Sequence, residues 1–257
     1  MSRVLTALVL IPIVVYVVLW ANSWVFLAVL VAAGCVCYWE YSHIAAAYGF
    51  GTPGPLGYAV GPLLLFSTRE PWAWLLVVLA ALIAMALALR SADLSHSLPR
   101  AALLLMGVIY IFGCWKCAVP LRERSPHWLM YALLVNWSGD IGAYYVGRYF
   151  GRQKLASRVS PQKTWEGSAG SLVASLLIAG TYLLRFIGGM SIPQAVGLTL
   201  AANAAGQLGD LAESAMKRGA HVKDSGTILP GHGGFLDRVD STLFALPVIY
   251  AWLQFAG

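Results

Sequence analysis

The stretch from Ser214 to Asp240 gathers Lys217, Arg218, Lys223, Asp224, His232, Asp237, Arg238 and Asp240. The chain around it is 59% hydrophobic and only 11% charged. Ionisable groups in such a background mark chemistry rather than packing. The run Pro230-Gly231-His232-Gly233-Gly234 is a loop whose glycines let the backbone approach a ligand closely. It leads into Asp237 and Asp240, spaced i and i+3 at the start of an apolar run. Acids, cations and a glycine loop together suit a metal–triphosphate complex. Carboxylates hold a hard cation such as Mg²⁺, which keeps waters and substrate oxygens, while Lys, Arg and backbone amides hold phosphates. The plain alternative is a solvated loop with ordinary juxtamembrane charges. The stretch is not a P-loop, because no Gly-x-x-x-x-Gly-Lys-Ser/Thr follows a strand. His232 has no cysteine or histidine partners, which argues against zinc.

Two further constellations face the same chemistry. Asn203, Gln207, Asp210, Ser214 and Lys217 recur at intervals of four and three and so share one helix face, with Glu213 at its border. A carboxylate deep in a membrane helix costs roughly 2.5–3.5 kcal/mol. Such a stripe belongs against a watery cavity or a cation; interhelical hydrogen-bonding glue is the alternative. Asn136, Asp140, Tyr144 and Arg148 repeat the device at intervals of four, with a buried Asp–Arg packing face as the alternative. Between these stretches, Ser160-Pro161-Gln162-Lys163-Thr164-Trp165-Glu166-Gly167 leads into an apolar run. Thr164 and Glu166 suit a helix cap and first turn, or, with Lys163, a phosphate contact.

The elements that position these residues are membrane helices. Mean hydropathy is +0.72, and apolar runs of about 20 residues recur, each able to cross the hydrocarbon as a helix. Uninterrupted apolar runs exclude the alternating strands of a β-barrel. The expected architecture is an all-α polytopic integral membrane protein of about nine transmembrane helices with a cytoplasm-facing polar cavity. The spans are predicted at 4–21, 23–47, 56–68, 71–90, 100–119, 127–147, 168–187, 192–216 and 238–256. The third is short and marked by Pro53, Pro55, Gly57, Gly61 and Pro62, so it is a candidate for a tilted or re-entrant segment. The first reads as a span rather than a signal peptide, since it is long, contains Pro12 and lacks a small-residue cleavage site.

Lys and Arg are richest at about 148–166 and 217–235, which places both connections in the cytoplasm. Counting back through nine spans puts Arg3 inside and the C-terminus outside; a third segment that does not cross reverses the N-terminus. The net charge of +6 is spread over these connections, facing anionic headgroups, and does not point to nucleic acid. Cys35, Cys37, Cys114 and Cys117 read as small apolar helix residues, not a disulfide framework. Residues 131–257 hold seven of the eleven acids. One membrane domain is therefore expected, with 1–130 as helical scaffold and 131–257 as the catalytic half.

At these residues the chain resembles the phosphatidate cytidylyltransferase family, also called CDP-diacylglycerol synthases. The shared signature is Ser-x-apolar-Lys-Arg, Lys-Asp, Leu-Pro-x-His-Gly-Gly and Asp-Arg-x-Asp, met from Ser214 to Asp240. Gly139-Asp140 with Tyr144 and Gly147-Arg148, Ser160-Pro161 with Lys163-Thr164 and Glu166-Gly167, and Gly209-Asp210-Leu211 with Glu213-Ser214 extend the likeness over about 136–241. The resemblance implies transfer of CMP from CTP to phosphatidate, giving CDP-diacylglycerol and pyrophosphate. It implies Mg²⁺ dependence with a paired-metal centre that has room for a second cation. It also implies a homodimer in the inner (cytoplasmic) membrane, with the site facing the cytoplasm. Carried onto this sequence, Asp210 and Asp237 are the metal carboxylates, with Asp140, Asp224 and Asp240 as second candidates. The chemistry of the residues assigns the other roles: Lys217, Arg218, Lys223, Asp224, His232 and Asp240 form the expected catalytic set, and Asp140, Lys163, Thr164, Glu166, Ser214 and Arg238 the expected substrate-binding set.

Two other readings share some features. A polyprenyl-phosphate sugar-phosphate transferase would use aspartates and Mg²⁺, but no adjacent Asp-Asp pair is found. An ion-coupled transporter would use intramembrane acids, but no internal repeat is evident.

Overall fold

The computed structural model describes residues 2–67, 70–90, 93–228 and 233–255, with side chains from residue 8 onward except that of Glu70. The chain is mostly helical. Helix α1 spans Ser2–Leu19 and α2 Ser23–Ala45, the latter running into a π-turn at Ala46–Phe50. Helices α3 (Leu56–Phe66) and α4 (Glu70–Ala88) follow, then α5 (Ser97–Gly107). A π-turn at Val108–Gly113 joins α5 to the short α6 (Cys114–Lys116), and α7 is Ala118–Arg124. Helix α8 (Pro126–Phe150) precedes the strands β1 (Lys154–Ala156) and β2 (Ser160–Thr164). The rest is α9 (Trp165–Ser175), a π-turn at Leu176–Gly180, α10 (Thr181–Phe186), α11 (Ile192–Gly219) and α12 (Leu236–Phe255).

Local chemistry sets several helix starts. The Asn22 side chain accepts the amide of Val25 at 2.9 Å and caps α2. Ser125 caps α8 by accepting the amide of His127, with Pro126 at the first position, where its missing N–H costs nothing. Thr164 caps α9 by accepting the amide of Gly167 at 3.1 Å.

Among the described residues, four helical stretches are long and apolar enough to cross a membrane: Ser23–Phe50, Pro71–Ala88, Leu94–Arg124 and Trp165–Phe186. Leu8–Leu19 and Leu56–Phe66 are shorter apolar helices. Large apolar side chains such as Trp24, Trp74 and Leu82 are exposed on these helices. Water would penalise such a surface and lipid would not. The protein is thus an integral membrane protein. Helices α8, α11 and α12 fall outside the four because polar and charged residues interrupt their apolar runs.

The all-α expectation needs one correction. Residues 154–164, read as a plain connection, form an antiparallel two-stranded ribbon with Lys154 opposite Thr164 and Ala156 opposite Ser160. Glu166 explains why the ribbon is held at its base: its carboxylate accepts the amides of Arg152 at 3.0 Å and Gln153 at 3.2 Å. The amide of Trp165 also bonds to the carbonyl of Gln153 at 3.0 Å.

The chain forms two compact units. One comprises Met1–Val17, Ala21–Val119 and Met216–Arg238; the other comprises Val18–Trp20, Pro120–Ala215 and Val239–Gly257. In the first, Tyr38 and Phe112 are fully buried against the glycines of α3. The Tyr41 hydroxyl donates to the carbonyl of Leu103 at 2.8 Å and ties α2 to α5. In the second, α8 and α9 pack closely along their length. A β-carbon at Gly142 would stand 2.5 Å from that of Ala174, so this contact needs a glycine.

Candidate functional site

The second unit contains a cavity of about 450 Å³ walled by α8, the β-ribbon, α9, α11 and the start of α12. Its rim carries Asp140, Tyr144, Arg148, Lys163, Thr164 and Asp210. The stripe Asn136, Asp140, Tyr144 and Arg148 thus lines one space with Asn203, Gln207 and Asp210 of the other stripe, whereas Ser214 and Lys217 lie outside its lining. Lys163, on β2, pairs with Asp210 of α11 at 2.5 Å, both side chains about a quarter to a third exposed. Ser214, one turn on, donates to Asp210 at 3.3 Å. Arg148 donates to the Tyr144 hydroxyl at 2.7 Å.

The floor of the cavity is polar. The Gln207 amide donates to Asn203 Oδ1 at 2.6 Å, and Asn203 donates to Ser171 Oγ at 2.9 Å and Ser175 Oγ at 2.8 Å. Ser175 donates to the carbonyl of Val135 at 2.7 Å, and Ser168 donates to Gln207. Sequence reasoning found Asn203 and Gln207 but missed the serines. Their signal was present: Ser168, Ser171 and Ser175 recur at three and four and so share a face of α9. Thr164 and Glu166 take the capping and ribbon-holding roles described above, and Thr164 also lines the cavity. Asp240 is buried in α12, its carboxylate accepting the amide of Ser241 at 2.6 Å.

The first unit holds the other charged residues of the signature. Lys217, in the last turn of α11, forms an ion pair with Asp237 in the first turn of α12. Both side chains are nearly buried, at 11% and 6% exposure. Asp237 Oδ2 also accepts the amides of Gly234 at 2.9 Å and Ser225 at 3.1 Å. Asp237 lies one residue ahead of the stretch read as the last span. Burial alone would raise its pKa. The hydrogen bond and charge of Lys217 outweigh this, with the amides of Gly234 and Ser225, and hold it below the usual carboxylate range. Asp237 is therefore an anion at neutral pH.

Gly233, with a φ of 79°, brings two carboxylates to one spot. A β-carbon there would lie 2.9 Å from Asp237 Oδ2 and 3.5 Å from Asp224 Oδ1. The positive φ and the crowding both select glycine. Arg218, Lys223, Asp224 and Arg238 are exposed. Pro230, Gly231 and His232 lie outside the described residues. The first unit also holds a residue that sequence reasoning left in the scaffold: Glu40 of α2, fully buried, accepts the amides of Phe235 and Leu236. Its signal was a lone acid in an apolar helix.

Among the described residues, no group of three or more His, Cys, Asp or Glu side chains could hold a metal ion. Mg²⁺ needs no such cage: one or two carboxylates suffice when substrate phosphates complete its shell. The hard oxygens of Asp224 and Asp237 beside Gly233, and of Asp210 beside Lys163, are donors of that kind.

Comparison with known proteins adds the family. The model of the cytidylyltransferase family matches residues 1–256. A phosphatidate cytidylyltransferase of Bacillus subtilis (strain 168) is 45% identical over 150 residues, covering 56% of this chain and 55% of that protein. One of Staphylococcus aureus (strain COL) is 40% identical over 198 residues, covering 74% and 75%. One of Staphylococcus saprophyticus is 37% identical over 196 residues, covering 74% and 75%. The matched segment is thus a little over half of the Bacillus protein and three quarters of the staphylococcal ones.

Proposed function

This chain belongs to the cytidylyltransferase family, and from that premise we propose that it is a phosphatidate cytidylyltransferase. It transfers CMP from CTP to phosphatidate, giving CDP-diacylglycerol and pyrophosphate. The observation that carries this reading beyond the family is the pairing of acid with lysine at two places. Lys163 meets Asp210, and Lys217 meets Asp237. Each pair offers a cation to phosphate oxygens and a carboxylate to a divalent ion.

The reaction joins two polyanions. The phosphate of the lipid is already ionised at neutral pH and can attack the α-phosphorus of CTP in line, so no strong general base is required. The obstacle is charge repulsion and orientation. Asp210 in one unit and Asp237 in the other would each offer a carboxylate to Mg²⁺, with Asp224 beside Asp237. When bound, that ion would neutralise phosphate charge and align the leaving pyrophosphate. Lys163, Lys217, Arg218 and Lys223 take phosphate oxygens, and Arg238 adds charge at the start of α12. Ser214 and His232 orient phosphate oxygens, and Asp140, Thr164 and Glu166 shape the rim around Lys163. The transfer is direct, so no nucleotide becomes bonded to the protein. Nine crossings, a cytoplasm-facing site and a homodimeric assembly complete the proposal. The wealth of Lys and Arg at 148–166 supports that orientation.

The test is to mix purified protein with labelled CTP, Mg²⁺ and phosphatidate and to follow labelled lipid and pyrophosphate. Omitting any one component should stop both products. A product made without phosphatidate, or a covalent nucleotidyl–protein adduct, would overturn the reading.

A further inference from the structure

Glu40 is an expensive residue in its place. It sits in α2, a helix otherwise apolar enough to cross a membrane, and its side chain is fully buried. A buried carboxylate persists only where charge-assisted hydrogen bonds offset its lost hydration. Those bonds are present. Oε2 accepts the amide of Leu236 at 2.6 Å and the hydroxyl of Ser225 at 3.1 Å. Oε1 accepts the amide of Phe235 at 2.9 Å. Leu236 opens α12, so these amides belong to the group that a helix cannot satisfy from within. Glu40 supplies the acceptor from a different helix.

The sequence around it is shaped to admit this carboxylate. A β-carbon at Gly226 would stand 2.5 Å from Oε1, and one at Gly234 2.7 Å from it. The same backbone then holds Asp237. The amides of Ser225 and Gly234 donate to the Asp237 carboxylate, and the Ser225 hydroxyl accepts the amide of Asp237 at 3.4 Å. Ser225 and Gly234 thus lie between two carboxylates: one buried in α2, the other paired with Lys217.

We propose that Glu40 is a positioning residue for cytidylyl transfer: it fixes the backbone at 225–226 and 234–236 so that Asp237 and Lys217 are held in their reactive arrangement. This rests on the cytidylyltransferase reading of the site. Glu40 acts through Ser225 and the start of α12, and the reacting groups meet Asp237 rather than Glu40. A glutamine keeps the size of the side chain but replaces one acceptor oxygen with an NH₂ donor. It must leave at least one of the three donors unmet.

The experiment uses the full-length protein in detergent. For Glu40→Gln, kcat per folded molecule should fall about 10- to 100-fold. KM for CTP and for phosphatidate should stay within about twofold, since an interaction that aligns the transition state and binds no substrate lowers kcat. Amide exchange at Phe235 and Leu236 should accelerate about tenfold or more, with other helices unchanged. Exchange is read without turnover. A wild-type protein that makes no CDP-diacylglycerol would sink the enzymatic reading, whereas unchanged exchange in the variant would sink the tether. An unaltered kcat overturns the proposal, as does a loss carried wholly by KM. Should Glu40→Gln fail to fold, Ser225→Ala takes its place. It removes one donor and leaves both amide bonds to Glu40. It should lower kcat about three- to tenfold at constant KM, and a wild-type kcat in that variant would equally overturn the proposal.

Discussion

Replacing Asp237 by Asn separates structural from chemical roles at the Lys217–Asp237 pair. The two side chains are 11% and 6% exposed, so the pair is close to fully desolvated. Asn at 237 keeps one carbonyl oxygen, which can still serve the amides of Gly234 and Ser225. Its NH₂ group then faces the Lys217 ammonium, and a nearly buried cation loses the charge of Asp237. Breaking a buried pair from one side costs roughly 3–5 kcal/mol; the residual exposure of Lys217 brings the expectation down to about 2–3 kcal/mol. Adding Lys217→Met removes the cation as well. Most of that stability should return, because an apolar replacement of a whole buried pair is close to neutral. Activity should behave differently. If both charges meet substrate or cation, Asp237→Asn lowers turnover roughly 10²–10³-fold, and the double variant stays at least as slow. The assay pairs a thermal unfolding midpoint in detergent with the rate of labelled CDP-diacylglycerol formation. A double variant that recovers both stability and rate would reduce the pair to a structural tie. Full rate in Asp237→Asn would remove Asp237 from the chemistry.

Lys163→Met breaks the pair with Asp210, a quarter to a third exposed, and should change stability by less than about 1 kcal/mol, while slowing turnover roughly 10- to 100-fold in the same rate assay. Exhaustive chelation should abolish turnover, and Mg²⁺ should restore it; undiminished turnover after chelation would end the proposed role of a divalent ion. Thr164→Ala removes the cap of α9 and should cost about 1 kcal/mol in unfolding free energy, whereas Thr164→Ser should retain it. Gly142→Ala forces a β-carbon to 2.5 Å from that of Ala174, and the overpacked α8–α9 contact should lose roughly 1–3 kcal/mol, read as a lowered unfolding midpoint.

What the sequence disclosed follows from which interactions are local. Helix stripes are local: Asn203, Gln207, Asp210 and Ser214 share a face because of the helical repeat alone, and they do line or adjoin the cavity of the second unit. Helix caps are local too, so Thr164 was readable. The ribbon at 154–164 was not. Its strands are short, β2 begins Ser-Pro-Gln-Lys, and no apolar alternation betrays them. Its geometry depends on Glu166 gripping the amides of Arg152 and Gln153 from beyond its end.

Glu40 marks the limit more sharply. Its partners lie about 185–196 positions away, and no periodicity links α2 to the start of α12. Yet the energetic argument for it was available before any fold was known. An ionisable side chain within an apolar span must either be satisfied or pay several kcal/mol, and α2 offers it no basic partner except His43 near its own end. The missing partner had to come from elsewhere. The unsatisfied amides at the head of a helix are uncharged donors able to stabilise a buried carboxylate, and the last predicted span begins shortly after the loop that holds Gly231, Gly233 and Gly234. Treating 1–130 as inert scaffold overlooked a charge that the rest of that segment could not accommodate. A lone acid in an apolar helix is better read as half of an interaction whose other half lies where the chain carries its chemistry.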